Sequence, residues 1–259
     1  SGARGPARTP PDADYIEGAS VRLTIDRVAQ YTAEREIERA VRETGARQGA
    51  AVVMEVKTGR LLAVAKYPLV DPNSYWEHSP EDMKNFAVVD SFEPGSTLKV
   101  IAAAALLEAH PDVLRQKFRC EGKIEVADAT IKCTAVHGDL TLDEIIKHSC
   151  NAGMIQAVRR LKREELYSML RRFGFGRETG VEMPGESAGL LRGVGEWSGL
   201  SRYSLSIGQE ISVTSIQMAA AFGAIANGGV YMAPSIIESI EADDGSAARR
   251  FSPKSRGRV

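Results

Sequence analysis

The stretch Glu93-Pro94-Gly95-Ser96-Thr97-Leu98-Lys99 constrains this chain most. A tight Pro-Gly turn runs into the apolar segment Val100 to Leu107, which places a serine and a lysine three residues apart where a helix begins. Residues i and i+3 of a helix share a face, so the Lys99 amine can lie beside the Ser96 hydroxyl while the first backbone N–H groups point at a developing oxyanion. That is a route to an activated serine nucleophile. For the four residues alone, the competing reading is a helix-capping Ser96 beside a solvated Lys99. A second polar triplet, Ser149-Cys150-Asn151, lies downstream and favours chemistry.

Further short landmarks fall in a fixed order around these two. They are Leu23-Thr24-Ile25-Asp26, Val56-Lys57-Thr58-Gly59-Arg60-Leu61-Leu62-Ala63, Asp71-Pro72-Asn73, His137-Gly138, Pro184-Gly185-Glu186 and Ser206-Ile207-Gly208-Gln209-Glu210. With them the chain resembles, from about Val21 to Pro234, the transpeptidase domain of a class B (monofunctional) penicillin-binding protein. Trp197-Ser198 and the segment Ser206 to Thr214 are more similar to the division-specific (septal) branch than to the elongation branch that serves cell shape.

The resemblance implies an α+β chain with the penicillin-binding-protein/serine β-lactamase-like transpeptidase fold. An antiparallel sheet packs with helices, a mostly helical subdomain supplies the catalytic residues, and the site lies in the cleft between them. It also implies a peptidoglycan D,D-transpeptidase that attacks the D-Ala-D-Ala end of a stem peptide and forms an acyl-enzyme on Ser96. The acyl group then passes to an amine of a neighbouring strand, and β-lactams acylate the same serine. Lys99 serves as the base only if burial or a nearby cation lowers its pKa from about 10.4 toward 7 or 8, and Val100-Ile101-Ala102-Ala103 supplies an apolar setting. In the roles carried over from the family, Ser149 relays a proton between Lys99 and the leaving amine, and Asn151 holds the substrate backbone. No cofactor is expected for catalysis.

The family's third signature, a Lys-Thr-Gly on a strand C-terminal to both serine motifs, does not follow Ser149. Lys57-Thr58-Gly59 has the letters but precedes Ser96, and its flanks match the family's early hairpin; it is expected to be a turn with Gly59 at positive φ. The chain is therefore expected to be truncated before that strand, with an incomplete sheet and little activity of its own.

Composition excludes other classes. With 33 basic and 34 acidic residues, 43% hydrophobic and 26% charged, the 259 residues suit a globular domain and do not suggest nucleic acid as a partner. No apolar run reaches the roughly 18–20 residues of a membrane span. The resemblance implies an N-terminal anchor helix and a pedestal outside this chain. It places the domain at the extracytoplasmic (periplasmic) face of the inner membrane, with a membrane-embedded glycosyltransferase and division proteins as partners. Residues 1–19, rich in Gly, Pro, Ala and Arg, read as a flexible lead-in or an artificial junction, and residues 20–259 as the transpeptidase domain.

Along the chain, Arg27 to Thr44 has helical spacing with Gly45 as a stop. Ala50 to Val56 and Arg60 to Lys66 form a hairpin pattern. Ser79 to Arg172 reads as helical and loop-rich and Gly174 to Gly195 as loop. Thr214 to Ala226 reads as a buried helix closed by Asn227-Gly228-Gly229, before a strand-like Ser235 to Ile240 and a polar tail.

Three cysteines, an odd number, need an explanation. Cys120, Cys133, His137 and Cys150 offer three thiolates and an imidazole, the donor set of a closed tetrahedral zinc site, although the spacing is not that of a standard finger. The alternatives are a Cys120–Cys133 disulfide with Cys150 a buried thiol, or three free thiols. The resemblance adds that some class B members carry a metal cluster here, including the middle residue of the Ser-x-Asn triplet. Cys150 would then point away from the cleft, and a structural zinc would fix the loop bearing Ser149 and Asn151. His78, His110 and His148 read as surface or helix-end residues. Two other functions compete with the transpeptidase: a non-catalytic penicillin-sensing or division-scaffold protein, and a β-lactamase-type hydrolase, for which no Glu stands in a recognisable deacylation motif.

Overall fold

The structure is a computed structural model that describes residues 19–241 and 247–259. The expected lead-in over 1–19 lies outside the described residues except for Ala19. In chain order the elements are β1 (Ser20–Leu23), α1 (Arg27–Thr44), β2 (Gly49–Met54), β3 (Leu61–Tyr67) and the single-turn helices α2 (Pro80–Met83) and α3 (Phe86–Val89). Next come α4 (Lys99–Ala109), β4 (Phe118–Cys120), β5 (Lys123–Val126), β6 (Ala129–Lys132), β7 (Gly138–Leu140), α5 (Leu142–Lys147), α6 (Asn151–Val158) and α7 (Arg163–Arg172). The last are α8 (Ser201–Ser206), α9 (Ser215–Ala226), β8 (Val230–Met232), β9 (Ile237–Glu241), β10 (Ala247–Arg250) and β11 (Ser255–Arg258).

The chain divides into two compact units, Ser1–Leu23 with Ile237–Ser252, and Thr24–Ile236 with Pro253–Val259. The smaller carries the three-stranded antiparallel sheet β1-β9-β10, whose outer strand is tied to the middle one by an Arg22–Glu241 ion pair at 2.6 Å. All the candidate site residues belong to the larger.

In the larger unit the local signals explain the elements. Asp26 caps α1 by accepting from the N–H groups of Val28 and Ala29 at 2.9 and 2.8 Å, and Gly45 ends the helix in the left-handed region at φ 68°. The Gln30 amide of α1 bonds both backbone groups of Val64, fastening the helix to β3. β2 and β3 pair antiparallel around the Lys57-Thr58-Gly59 turn. Gly59 has φ 79°, and a Cβ there would collide with the carbonyl oxygen of Ala233, so only glycine fits.

Helix α4 is apolar around most of its circumference and runs through the main core, where Ile101, Ala102, Ala105 and Leu106 meet Met154, Ile155, Leu166 and Leu170. Helix α9 starts at Thr214 with a Thr214/Gln217 capping box and packs in the same core through Ala220, Ala221 and Ala224. Residues 118–140, expected to be helix and loop, instead form two ribbons, β4 with β7 and β5 with β6; the expected polar tail contributes β10 and β11. The four ribbon strands are three or four residues long; Phe118, Cys120, Val126 and Leu140 reach the main core, Ile124 and Ile131 pack against it, and Arg119, Lys123, Glu125, Thr130 and Lys132 between them are exposed.

Candidate active site

The turn that carries Ser96 is clamped from behind. Gly95, at φ 56°, donates its N–H to the carbonyl of Gly208 at 3.0 Å, and Gly208, at φ 79°, leaves no room for a Cβ against the Gly95 backbone. Phe92 and Val213 exchange two backbone hydrogen bonds of 3.0 and 2.9 Å, and the Glu210 N–H donates to the Glu93 carboxylate at 3.0 Å. The segment Ile207–Val213 thus acts as a back wall to Phe92–Ser96. Gly95–Leu98 forms a 3-10 turn that passes into α4 at Lys99, with Ser96 exposed and Lys99 only 1% exposed.

Because Lys99 opens a helix that is buried on nearly every side, its ammonium is stripped of water. Nζ lies 2.8 Å from Ser96 Oγ, 3.0 Å from Ser149 Oγ, 2.7 Å from Ser149 O and 2.7 Å from Asn151 Oδ1. An ammonium has three N–H groups for these four oxygens, so it cannot satisfy all of them with separate bonds. Burial lowers the Lys99 pKa to about 8, opposed by electrostatic interaction with Cys150 and Cys133. A neutral fraction able to accept the Ser96 proton is therefore present near neutral pH.

Ser149 reaches Lys99 from the end of α5. The Ser149 N–H bonds Ile146 O at 3.2 Å and the Cys150 N–H bonds Ile145 O at 2.9 Å, the two bonds of a Schellman stop in which Ser149 occupies the left-handed position at φ 53°. Glycine is the usual occupant of that position. Here the serine turns both its hydroxyl and its carbonyl to Lys99. Asn151 starts α6 with Oδ1 on Lys99 and Nδ2 donating to Lys132 O at 2.9 Å. Expected to hold a substrate backbone, Asn151 has most of its amide engaged inside the protein, with one N–H and one lone pair left for a ligand.

Cys150 does point inward, fully buried as the cap of α6. The ligand atoms of Cys120, Cys133, His137 and Cys150 all lie within 4.8 Å of one another. Cys120 Sγ is 3.7 Å from Cys133 Sγ and 3.5 Å from His137 Nδ1, and Cys133 Sγ is 3.8 Å from Cys150 Sγ. Zinc–sulfur bonds of about 2.3 Å at tetrahedral angles give edges of about 3.8 Å, and a sulfur–nitrogen edge is about 3.5 Å, so the four residues fit one such ion. The alternative disulfide does not match: the three cysteines are free, and 3.7 Å far exceeds an S–S bond of about 2.05 Å. The first turn of α6 donates to the sulfurs, Ala152 N–H to Cys133 at 3.2 Å and Gly153 N–H to Cys150 at 3.3 Å, but at Cys150 burial outweighs the Gly153 donor and pushes the thiol up to about 12. Burial raises the Cys120 pKa, but donors from Gly122 and His137 outweigh it and bring the thiol down to about 6.

The structure therefore gathers Ser96, Lys99, Ser149 and Asn151 at one point and the cysteine–histidine cluster directly behind the last two. It leaves Lys57-Thr58-Gly59 elsewhere, with Lys57 Nζ on Asn227 Oδ1 at 3.0 Å. His148 is an exposed helix-end residue as expected, and its ring lies 5.8 Å from that of His137. Gly208 and Glu210 have no role assigned from sequence, although both stand in the Ser206–Glu210 landmark; the glycine inside that landmark is the available signal. Glu186, in another landmark, folds its own loop by accepting from the N–H groups of Thr179 and Gly180 at 2.6 and 2.8 Å.

An exposed serine bonded to a buried, partly neutral lysine, with a second serine and an asparagine on the same amine, defines a Ser/Lys acyl-transfer type of site. The model of the penicillin-binding-protein transpeptidase domain matches residues 49–258. Penicillin-binding protein PbpB of Mycolicibacterium smegmatis is 37% identical over 93% of this chain and 38% of its own length; stage V sporulation protein D of Bacillus subtilis is 34% identical over 97% and 39%. The crystal structure of penicillin-binding protein 3 from Mycobacterium tuberculosis complexed with aztreonam superposes with a TM-score of 0.87 at 35% identity, over 97% of this chain and 56% of that one. The chain belongs to the transpeptidase-domain family of class B penicillin-binding proteins and has its fold. It spans under two fifths of the length of these two curated relatives.

Proposed function

We propose that the chain carries the acylation site of a peptidoglycan D,D-transpeptidase that β-lactams inhibit. One observation carries this reading: Lys99 Nζ lies 2.8 Å from Ser96 Oγ and 3.0 Å from Ser149 Oγ. Neutral Lys99 takes the Ser96 proton as Oγ attacks the carbonyl of a D-Ala-D-Ala bond. The resulting ammonium returns the proton through Ser149 to the leaving D-Ala amine, giving an ester on Ser96 and free D-Ala. An amine of a neighbouring strand then attacks the ester, and its proton leaves by the same relay in reverse. A β-lactam enters at the first step, its opened ring remaining on Ser96. The similarity of Trp197-Ser198 and of Ser206 to Thr214 to the septal branch supports a role in cell division. With that role go periplasmic placement at the inner membrane and work beside a membrane-embedded glycosyltransferase. Among the described residues, no helix is long and apolar enough to cross a membrane.

We infer also that Cys120, Cys133, His137 and Cys150 hold a structural zinc. Its chemistry there is to crosslink the β4/β7 ribbon, the end of β6 and the α5–α6 junction, and the ion takes no part in acyl transfer. Purified under reducing conditions, the protein should contain about one metal per chain, and a strong chelator should lower its Tm; metal-free protein with a Cys120–Cys133 crosslink would refute the site.

The test of the acylation site is fluorescent-penicillin labelling in the full-length protein. Ser96→Ala should abolish the label while keeping the fold, and label retained elsewhere would displace Ser96 as nucleophile. Labelling of Ser96 without cross-linked product from stem peptides would favour the penicillin-sensing or scaffold reading.

A further inference from the structure

The three sulfurs of the cysteine–histidine cluster are held differently. Cys120 and Cys150 are fully buried, whereas Cys133, which opens onto the exposed segment 134–136 between β6 and β7, is partly open to solvent. Cys133 Sγ is also the central sulfur, 3.7 Å from Cys120 Sγ and 3.8 Å from Cys150 Sγ. A small oxidant therefore meets Cys133 first, and two further sulfurs already touch it.

Those two neighbours are not equivalent. Cys133 donates its N–H to the Gly122 carbonyl at 2.8 Å, so the strands entering and leaving the β5/β6 ribbon lie side by side two residues from Cys120. Closing 3.7 Å to an S–S bond of about 2.05 Å moves the sulfurs by about 1.7 Å within that ribbon. Cys150 is anchored elsewhere: its N–H bonds Ile145 O at 2.9 Å, and its sulfur caps α6 by accepting from Gly153 N–H at 3.3 Å. A bond from Cys133 to Cys150 would disturb that cap, and a bond to Cys120 leaves it in place.

Cys133 is tied to the catalytic side chains as well. Its sulfur accepts from Ala152 N–H at 3.2 Å, and the carbonyl of the preceding residue, Lys132, accepts from Asn151 Nδ2 at 2.9 Å. Asn151 in turn meets Lys99 Nζ through Oδ1 at 2.7 Å. Drawing the Cys133 sulfur toward Cys120 takes the acceptor from Ala152 and shifts the adjoining Lys132 carbonyl. Asn151 then loses the contact that orients its amide beside Lys99.

We propose that the cluster is an oxidant-operated switch, in which a peroxide joins Cys120 to Cys133, the metal is released and acylation of Ser96 slows. This rests on the zinc reading above. The Cys133 sulfur attacks one oxygen of hydrogen peroxide, and the O–O bond breaks to give a sulfenic acid and hydroxide. The Cys120 sulfur then attacks the Cys133 sulfur; the S–S bond forms, the S–O bond breaks and a second hydroxide leaves. Two thiolates lose two electrons, the peroxide gains them, and two protons from solvent complete two waters. His137 and Cys150 remain as donors, half of the four that a closed zinc site needs. Outside the cytoplasm, where the proposed function puts this domain, disulfides once formed persist until a reductant reaches them.

The test uses the full-length protein, purified reduced and assayed before and after treatment with hydrogen peroxide. About one zinc per chain should be present at first and then pass to a colorimetric indicator as two thiols disappear. Peptide mass spectrometry should find Cys120 joined to Cys133 and Cys150 still a thiol. Fluorescent-penicillin labelling of Ser96 should slow about 10–100-fold, and a thiol reductant with added zinc should restore both metal and labelling. Methionine oxidation is not reversed by such a reductant, so recovery separates the two causes. Reduced protein without metal overturns the zinc reading and the switch with it. Zinc that stays bound under peroxide, a crosslink through Cys150, labelling unchanged once zinc has left, or labelling that does not recover overturns the switch alone.

Discussion

At the nucleophile turn, Ser96 and Lys99 are neighbours along the chain, and their geometry is fixed by backbone: the 3-10 turn, the Gly95–Gly208 bond and the Phe92–Val213 pair. At the α5–α6 junction, Ser149 and Asn151 reach the same amine from fifty residues away, held by a left-handed stop and by side chains of the cysteine–histidine cluster behind it. The first half is local and depends on glycines that let backbones touch. The second is long-range and depends on thiols and one imidazole. Damage to either should therefore be distinguishable, and Lys99 is the point at which the two meet.

The largest effect should come from Lys99 itself, which serves both halves. Lys99→Ala should reduce penicillin acylation about 10²–10⁴-fold with Ser96 still in place, since nucleophile and base act as a unit. Acylation kinetics followed by mass spectrometry measure it; a loss under about threefold would remove Lys99 from the base role. Next, Gly208→Ala tests the local half. The new Cβ meets the Gly95 backbone at a φ of 79°, so stability should fall by about 2–3 kcal/mol in denaturant titration, with acylation falling alongside. Unchanged acylation would mean that the back wall does not hold the turn.

The long-range half should fail differently. Cys150→Ser weakens the cluster and should lower acylation about 10–100-fold while Ser96 still labels slowly. Chelation of the parent protein should reproduce that loss and should add little to the variant. If the variant acylates normally, the junction is held by its backbone alone.

Acidity should separate the base from its surroundings. With Lys99 at about 8, lowered by burial against the opposing electrostatic interaction with Cys150 and Cys133, the neutral fraction rises about tenfold per pH unit up to that value and then levels. The acylation rate should follow. The stability consequence has a definite sign: the folded pKa lies below the ordinary lysine value of 10.5, so between about 8 and 10.5 the unfolded chain binds more protons. The buried charge is a constant penalty below 8 and is relieved as pH rises through that window. Lys99→Met should flatten both profiles.

What was legible in the sequence divides along the same line. Asp26 and Gly45 bounded α1, Lys57-Thr58-Gly59 marked the hairpin, and Thr214 marked the start of α9, because caps and turns are written in neighbouring residues. The Ser96/Lys99 pair was visible for the same reason. The ribbons β4/β7 and β5/β6 were not, since strands of three or four residues are too short for the alternation in Phe118-Arg119-Cys120, Lys123-Ile124-Glu125-Val126 and Ala129-Thr130-Ile131-Lys132 to stand out, and β4 finds its partner about twenty residues away. The pressing of Gly208 on Gly95 joins residues more than a hundred positions apart, and the left-handed Ser149 follows from the Schellman stop rather than from residue preference.

The smallest effect expected is also the one that sets stability against chemistry most directly. Ser149 holds φ 53° at a position where glycine carries no Cβ penalty, a strain of about 1–2 kcal/mol. Ser149→Gly should therefore recover about 1 kcal/mol of stability, less whatever the lost hydroxyl contact to Lys99 at 3.0 Å contributed. The carbonyl of residue 149 still reaches Lys99 in that variant, so the first acylation by penicillin should slow only modestly, while steps that need a proton delivered to a leaving amine should slow more. Paired measurements of unfolding midpoint and of acylation against peptide turnover decide it. A variant that is no more stable would show that the junction tolerates Ser149 without strain, and equal slowing of both reactions would remove the proton relay from its hydroxyl.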